Sequence, residues 1–420
     1  MLQHVIRNPQ VGQEIDAAGF KPVLGQLAAK LHCGGYAKTT VRFYEQGAVH
    51  FAYWVAKRHV GRSQVNESHI TSFLARHLPR CHCPFGGVRQ QHTVQAALRH
   101  FEAVLKAGNP WASDWGKKPA AFHFEVQRFD DYLRTTAGLQ EATRAYRRRY
   151  VREFVQHFFG DGPLDTSRLS PKDVVRYLLK RASRLKPASA KVLASSLRSY
   201  FRFLRLHGEC DEALILAVPA PASYRLASLP RVLKDHELER LLEGFDRRTS
   251  TGHRDYAITR CFTDLGLRAE EVARLRLDDI DWCKGTLRIV GSKTRRDDEL
   301  PLTALIGEAI ATYIRRERPQ SPARQVFLRV RPPVGHAVTR QIVRNVILRA
   351  AARAGMRSII TGPRILRHTA ATRMLRHGAS LKEVADVLRH RSLDTTAIYT
   401  KVDLPRLAAV ATPWPEEDDL

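Results

Sequence analysis

The pattern of hydrophobic and polar positions after Pro230 predicts helices interrupted by one β-hairpin. Apolar residues recur at helical spacing along most of this part, at 238–242, 257–265 and 270–277 and again from 304, 339 and 363. Between them, 286–290 alternates apolar and polar side chains, and a turn leads to a second short run at 299–302, which is typical of a hairpin. The sequence at 380–383 is a capping box, so one more helix is predicted to begin there.

Two proline-rich stretches, at 108–119 and 218–230, divide the chain into three parts. The first two parts carry aromatic and aliphatic residues at helical spacing with arginines on the other faces, so both are predicted to be helical. Similar blocks recur in them, for example 40–44 and 143–146, which either a duplication or two unrelated basic helical domains would explain. The predicted domains are 1–110, 122–215 and 225–412, followed by an acidic tail at 413–420.

The excess of basic over acidic residues indicates what kind of molecule the protein binds. The chain has 420 residues with 69 Lys and Arg against 42 Asp and Glu, and its formal net charge at pH 7 is +27. Hydrophobic residues make up 44% of the chain, which excludes a disordered basic tail. Arginine outnumbers lysine, and arginine binds phosphate oxygens in a bidentate manner. We therefore expect a large folded protein that binds a polyanion, with nucleic acid as the first candidate.

The cysteines and the apolar stretches indicate the cellular compartment in which the protein is expected. Six cysteines are too few and too scattered for a disulfide framework in a chain of this length. The first residues lack the apolar core of a secretory signal, and the longest apolar stretch, 213–220, is too short to span a bilayer. We expect a soluble protein of the reducing cytoplasm that makes no membrane contact.

One pair of cysteines lies close to histidines in the sequence. Cys81 and Cys83 form a Cys-x-Cys sequence with His82 between them, and His77, His92 and Cys33 lie further away on either side. Such residues can bind zinc, but most zinc sites leave two to four residues between the cysteines. The sequence therefore favours buried thiols and surface histidines, and it leaves Cys81 and Cys83 as the candidates for a metal site.

The most informative residues are cations and one tyrosine in the last part of the chain. In chain order they are Arg268, Lys293, Arg364, Arg367, His390 and Tyr399. The first begins a predicted helix, the lysine lies in the predicted hairpin turn, and the second and third arginines share one helix face. Any one of them would mean little in so basic a protein, so the information lies in their order and spacing.

In this order and spacing, the chain resembles the tyrosine recombinases, the phage-integrase-like enzymes that break and rejoin DNA. The stretches that carry the resemblance are 265–280, the hairpin with Lys293, 366–372 and 390–399. The resemblance covers about 225–405, and 122–215 is similar to the family's helical core-binding, SAM-like domain. It implies a mostly α-helical protein whose α+β catalytic domain contains a small antiparallel β-hairpin or sheet and follows helical N-terminal DNA-binding domains.

The resemblance also implies catalytic roles that agree with phosphodiester chemistry. Tyr399 is the nucleophile that forms a covalent 3′-phosphotyrosine. Arg268 and Arg367 bind the non-bridging oxygens as charge develops there, and His390 donates to the same oxygens. Lys293 is the general acid for the departing 5′ oxygen. No metal or nucleotide cofactor is required, because the arginine pair replaces the cation.

Three neighbouring residues are supporting or atypical. Glu271 matches an acidic position of the family and could orient guanidinium groups, and His368 is interpreted as a hydrogen-bonded scaffold residue. At Arg364 the family usually has histidine, and a fixed cation cannot act as a general base at neutral pH. We therefore expect Arg364 to bind phosphate as a third cation and Tyr399 to be activated without it.

The implied function is site-specific recombination in the integration, excision or transposition of a mobile element. The implied partner is double-stranded DNA of the bacterial nucleoid, bound by a homo-oligomer or with related recombinases, as a dimer on one site and a tetramer in the synapse. The additional segment 1–110 suggests that longer element ends are recognised. Its deletion should then weaken binding to the full site more than cleavage of a bound core.

Other functions remain open at this stage. A type IB topoisomerase-like enzyme would use similar residues to relax supercoils, and a non-enzymatic architectural DNA-binding protein would keep the charge without the chemistry. An RNA-binding protein would explain the charge, but no sequence typical of an RNA-binding module is present. Within the recombinases, these motifs do not separate integrase, transposase and resolvase.

Overall fold

The computed structural model describes residues 6, 8–83, 90–107, 121–160, 162–220, 229–290, 297–390 and 392–402. It is mostly α-helical with one small antiparallel sheet, as predicted. The chain divides into two compact units. The first comprises Met1–Tyr53, His82–Val104 and Arg225–Leu420, and the second comprises Trp54–Cys81 and Leu105–Tyr224. The predicted acidic tail, 413–420, lies outside the described residues.

The helices before residue 108 are α1 (Pro9–Ala17), α2 (Lys21–Cys33), α3 (Lys38–Ala56), α4 (Glu67–Ser72) and α5 (Gln91–Ala107). Helix α3 continues without a break across the division at Tyr53. After α4 the chain makes a wide π-helical turn, Phe73–His77, and then a 3-10 turn, Leu78–Arg80. Within the first unit, the rings of Phe51 and Phe101 pack edge to face with their centroids 6.1 Å apart.

The second unit contains α6 (Ala121–Thr135), α7 (Glu141–Phe159), α8 (Pro171–Ala182), α9 (Pro187–Leu206) and α10 (Glu212–Leu216). Each helix turns its apolar face inward, because burying that face offsets the entropy lost on folding. Aromatic side chains fill much of this core, and Phe129 packs edge to face on Tyr200. The Tyr200 hydroxyl donates to buried Glu125 at 2.9 Å, so the polar end of that ring is satisfied.

The last part of the chain contains seven helices and three strands among its described residues. The helices are α11 (Asp235–Glu243), α12 (Gly252–Thr263), α13 (Ala269–Arg274), α14 (Ala304–Arg316), α15 (Arg340–Arg353), α16 (Arg364–Arg376) and α17 (Leu381–Leu388). The strands are β1 (Ile280–Asp281), β2 (Thr286–Ile289) and β3 (Asp298–Pro301). They form an antiparallel sheet in the order β1-β2-β3, with Leu287 opposite Leu300. The predicted hairpin is therefore confirmed, and β1 adds a strand that the sequence pattern missed.

One predicted helix ends earlier than its apolar pattern suggested. The pattern extended to Leu277, but α13 ends at Arg274. The backbone beyond it pairs with a distant segment instead: Val326 N–H donates to the Leu275 carbonyl, and Leu277 N–H donates to the Arg324 carbonyl, each at 2.8 Å. Apolar residues at this end are thus buried by a loop rather than by a longer helix.

Helix α12 is the centre of the core in this part of the chain. It packs against α14, α15 and α16, and the inward residues Leu287 and Leu300 of the sheet join the same core. A second, smaller apolar cluster lies where α16 and α17 meet the last described turn, and it includes Leu375, Leu388 and Tyr399. None of the helices in the described ranges is both long and apolar enough to cross a membrane.

Candidate active site

The structure brings together seven of the residues that the sequence singled out. They are Arg268, Glu271, Arg364, Arg367, His368, His390 and Tyr399, and they come from the start of α13, from α16 and from the chain after α17. Lys293, the expected general acid, lies outside the described residues. Cys81 is buried and Cys83 half-buried after the turn Leu78–Arg80, and they play no part in this cluster.

A glycine allows the chain before α13 to approach α16 and α17 closely. Gly266 has a φ of +58°, and a Cβ there would lie 2.5 Å from Leu388 Cδ2. Any larger residue would therefore meet both backbone strain and a side-chain clash. The carbonyl of Gly266 accepts a hydrogen bond from Arg367 of α16, so this turn also helps to hold the Arg367 side chain in place.

Arg367 is a buried cation held by backbone carbonyls. Its side chain donates to the carbonyls of Gly266 and Leu388, and the residue is only 8% exposed. Burial, reinforced by the nearby charges of Arg268 and Arg389, lowers the pKa of Arg367 to about 9. It therefore keeps its positive charge at neutral pH while its orientation is set before any anion binds.

Glu271 links two arginines beneath the site. Its carboxylate accepts from the Arg268 guanidinium and backbone N–H, each at 2.7 Å, and from Arg389 at 2.5 Å. Burial acts to raise the pKa of Glu271, but Arg389 and Arg268 outweigh it, so that the pKa lies below its ordinary value. The acid is thus ionised and orients both guanidinium groups.

Arg389 is a site residue that the sequence analysis missed. It is 6% exposed, has a φ of 53° and directly follows α17, where its left-handed conformation turns the chain towards His390. Its ion pair with Glu271 joins residues far apart in the sequence. The sequence offered only its place immediately before His390, which does not distinguish it from the many other arginines.

His390 has a polar partner on one ring nitrogen. Its Nδ1 lies 2.8 Å from the hydroxyl of buried Thr396. Burial, followed by the charges of Arg367, Arg268 and Arg389, lowers the pKa of His390 to about 4. The ring is therefore neutral at pH 7. When the Thr396 hydroxyl donates to Nδ1, the ring hydrogen is on Nε2, which is then available as a donor.

A chain of two hydrogen bonds ends at the tyrosine hydroxyl. His368 Nδ1 lies 3.0 Å from Tyr399 Oη, and Arg364 Nε donates to His368 Nε2 at 3.1 Å. An arginine can only donate, so Nε2 must be the acceptor. The neutral ring then carries its hydrogen on Nδ1 and donates it to the tyrosine oxygen. Arg364 thereby selects the His368 tautomer that supports negative charge on Tyr399.

Burial keeps the histidine neutral and the tyrosine protonated before reaction. The pKa of His368 falls to about 4 through burial and then through Arg364 and Arg367. Burial raises the pKa of Tyr399, which is 2% exposed, while Arg367, Arg364 and Arg268 act in the opposite direction. These arginines would stabilise the phenolate once the proton leaves.

Arg364 and Arg367 differ in environment, although the sequence placed them on one helix face. Arg367 points into the protein, whereas Arg364 is exposed at the beginning of α16. Its Nε is used by His368, and the two terminal nitrogens of its guanidinium are further donors. Arg364 can therefore contact both His368 and an external anion.

The lowered pKa values of His368 and His390 predict that the protein loses stability in mild acid. Both have folded-state pKa values near 4, below the usual 6.5, so the unfolded chain binds more protons between these limits. Their contribution to stability is complete above about pH 6.5 and is lost as the pH falls towards 4. The thermal midpoint should therefore fall across this range, and it should fall less steeply for His390→Gln. The control is His236→Gln, because His236 is exposed. If the thermal midpoint of His390→Gln fell with pH as steeply as that of the control, this explanation would be contradicted.

The chain is similar to several known proteins. Residues 231–405 match the phage integrase family, and residues 126–208 match the phage integrase N-terminal SAM-like domain. The integrase/recombinase y4rA of Sinorhizobium fredii is 38% identical over 385 residues, 91% of each chain. The tyrosine recombinase XerC of Oceanobacillus iheyensis is 30% identical over 284 residues, 66% of this chain and 91% of XerC.

A solved structure supports the same fold. The XerH site-specific recombinase, in a post-cleavage complex with a palindromic difH substrate, matches 90% of this chain and 97% of its own with a TM-score of 0.54. At 19% identity this likeness concerns the fold alone. The match to y4rA, at 38% identity over 91% of each chain, shows the family. The protein belongs to the phage integrase family, the tyrosine recombinases, which are enzymes that cleave and rejoin DNA.

Proposed function

We propose that the protein is a site-specific recombinase that cleaves and rejoins double-stranded DNA through a 3′-phosphotyrosine on Tyr399. The observation that carries the proposal is the tyrosine hydroxyl itself, which lies 3.0 Å from His368 in a cluster that also contains Arg268 and Arg367. A nucleophile with adjacent fixed cations is the arrangement that phosphoryl transfer without a bound metal ion requires. These side chains would carry out the cleavage of the phosphodiester.

In the cleavage step, Tyr399 Oη forms a bond to phosphorus, and the bond from phosphorus to the 5′ oxygen breaks. The tyrosine proton passes to a water molecule as this bond forms, and the departing 5′ oxygen takes a proton from Lys293. Arg268 and Arg367 neutralise the charge on the non-bridging oxygens, and His390 donates to them from Nε2. Rejoining is the reverse reaction, in which a 5′ hydroxyl attacks the phosphotyrosine, so the energy of the broken bond is retained.

His368 and Arg364 act on the nucleophile rather than on the leaving group. Because His368 presents Nδ1–H to Tyr399, it is proposed to stabilise the developing phenolate and to hold the ring in position. Arg364 fixes that tautomer and is proposed to bind phosphate as a third cation. This pair would replace the histidine that the family usually has at position 364.

Replacement of Arg364 tests this pair. Arg364→Ala should lower covalent-complex formation about 10²-fold, because both the tautomer and one cation near the phosphate are lost. Arg376→Ala is the matched control, since Arg376 is exposed at the opposite end of the same helix. The comparison is the rate of covalent-complex formation at saturating DNA. Equal rates for the two variants would exclude the role of Arg364.

The proposed partner is double-stranded DNA, and the proposed assembly is a dimer on one site and a tetramer in the synapse. The net charge of +27 supports binding of a polyanion. The XerH neighbour is described as bound to its difH substrate, which supports the same class of partner here. Integration, excision or transposition of a mobile element is the proposed process, because the family matches begin at residue 126 and leave a long additional N-terminal segment.

Capture of the covalent adduct tests the proposed function. Cells that express either the wild-type protein or Tyr399→Phe are denatured rapidly, protein-bound DNA is recovered, and the attached ends are sequenced. We expect adducts that are concentrated at a few sequence-related junctions. Tyrosine-dependent adducts scattered over the genome would instead support topoisomerase-like relaxation. Recovery of no adduct from folded protein in cells that carry its DNA site would support the architectural alternative.

A further inference from the structure

One buried side chain beside the active site has no role in the mechanism above. Thr396 stands between the 3-10 turns Leu393–Thr395 and Ala397–Val402, and its exposed fraction is 0%. Its hydroxyl lies 2.8 Å from Nδ1 of His390, and its carbonyl accepts a hydrogen bond from the Tyr399 N–H at 2.9 Å. Thr396 therefore contacts both the nucleophile and the histidine that is proposed to donate to the phosphate.

The backbone of His390 is held separately from its ring. The His390 N–H donates to the carbonyl of Ala385 in α17 at 2.9 Å. This bond fixes where the residue stands, but it leaves the side chain free to rotate about its own bonds. The hydrogen bond between Nδ1 and the Thr396 hydroxyl supplies the missing constraint, because it sets the direction in which Nε2 points.

The direction of the hydrogen bond between Thr396 and His390 follows from what each atom can donate. Burial lowers the pKa of His390 to about 4, so the ring is neutral at pH 7 and carries one hydrogen. Among the described residues, His390 Nδ1 is the one hydrogen-bond partner of Thr396 Oγ1. If Oγ1 accepted from Nδ1, the hydroxyl hydrogen would be buried without an acceptor, which is costly. The hydroxyl therefore donates, and the ring hydrogen is on Nε2.

The tautomer decides whether His390 can bind a phosphate. The non-bridging oxygens of a phosphodiester accept hydrogen bonds and cannot donate them. The tautomer with its hydrogen on Nε2 offers these oxygens a donor, whereas the other tautomer would present a lone pair that repels them. His368 carries its hydrogen on Nδ1 because Arg364 donates to its Nε2. The two histidines of the site thus hold opposite tautomers, each selected by a different neighbour.

We propose that Thr396 is a positioning residue for strand cleavage, an inference that rests on the proposed function. Its hydroxyl holds His390 in the tautomer that donates from Nε2, and its carbonyl holds the backbone of Tyr399. A donor that is oriented before charge develops on the phosphate needs no reorganisation during the reaction. Thr396 acts through His390 and needs no contact with the DNA.

The hydroxyl of Thr396 can be removed without changing the shape of the side chain. Valine is branched like threonine, so Thr396→Val should lower the rate of covalent-complex formation at saturating DNA about 10- to 100-fold. Thr396→Ser keeps the hydroxyl and should keep most of the wild-type rate. Thr259→Val is the matched control, because Thr259 is equally buried and donates to the Asp255 carbonyl. The control should lose stability but not rate. Equal losses of rate in Thr396→Val and Thr396→Ser would overturn the proposal.

A double-variant cycle separates positioning of His390 from a purely structural role. In the His390→Ala background there is no ring to orient, so adding Thr396→Val should change the rate less than about twofold. If Thr396→Val lowered the rate in that background as much as it does in the wild type, Thr396 would not act through His390, and the proposal would be wrong.

The tautomer of His390 can be measured without DNA cleavage. Nitrogen NMR of isotope-labelled protein distinguishes a ring nitrogen that carries a hydrogen from one that does not. The His390 signals are those that disappear in His390→Gln. At pH 7 the wild type should carry the hydrogen on Nε2, and Thr396→Val should populate both tautomers. A wild-type hydrogen on Nδ1 would overturn the proposal even if adducts on Tyr399 form. The expected tautomer without any adduct would contradict the proposed function alone.

Discussion

Tyr399→Phe is expected to abolish strand cleavage while the fold and DNA binding persist. The substitution removes only the hydroxyl that attacks phosphorus, and loss of a nucleophile lowers turnover by a factor on the order of 10⁶. The ring remains in the apolar cluster with Leu375 and Leu388. Among the described residues the hydroxyl has one hydrogen-bond partner, His368, so the stability change should not exceed about 1.5 kcal/mol.

The measurement is covalent capture on a nicked DNA substrate that carries the junction sequence found in cells. The substrate loses a short 5′ fragment after cleavage, so the phosphotyrosine cannot be resealed and accumulates. Tyr313→Phe is the matched control, because Tyr313 is also buried and its oxygen accepts a hydrogen bond from Leu328 N–H. The control should lose stability and retain cleavage at temperatures where it is folded. Adduct formation by Tyr399→Phe at the wild-type rate would place the nucleophile elsewhere.

Glu271→Gln is expected to cause the largest loss of stability at the site. Glutamine has almost the same shape but no charge, so the buried guanidinium of Arg389 would lose its ionic partner. Leaving one member of a buried ion pair uncompensated costs about 3–5 kcal/mol. Arg268 would also lose its ion pair, so cleavage should fall in addition to stability.

Urea unfolding of Glu271→Gln at pH 7 measures this loss, with Glu383→Gln as the matched control. Both glutamates stand at the third position of a helix and accept from the backbone at its beginning, but Glu383 is exposed and is not paired with a buried arginine. The control should change the free energy of unfolding by less than about 0.5 kcal/mol. If the free energy of unfolding falls equally in both variants, the hydrogen bond at the beginning of the helix, rather than the ion pair, would account for the loss. The difference between the variants should also shrink in acid, since the depressed pKa of Glu271 means that its stabilising charge is lost as the pH falls.

Local signals in the sequence were sufficient for most of the helices and for the hairpin. The capping box at Ser380 begins α17, Pro363 precedes α16, and the alternating run at 286–290 forms β2. Each of these depends on residues only a few positions apart, so it can be read without knowledge of the fold. The early end of α13 could not be predicted in this way, because its cause is backbone pairing with residues 324–326.

The order of charged residues also sufficed to predict the family, but not how the site is arranged. Arg268, Arg367 and Tyr399 were identified because their spacing is distinctive. The pairing of Glu271 with Arg389 was not, since it joins two distant segments and depends on both charges leaving water together.

The same distinction applies to the histidines. His368 was interpreted as a scaffold residue, and only the folded chain shows that its ring lies between Arg364 and Tyr399. Short-range patterns therefore decided the elements and the chemical class, while long-range burial and pairing decided which charges are compensated and which side chains share a site.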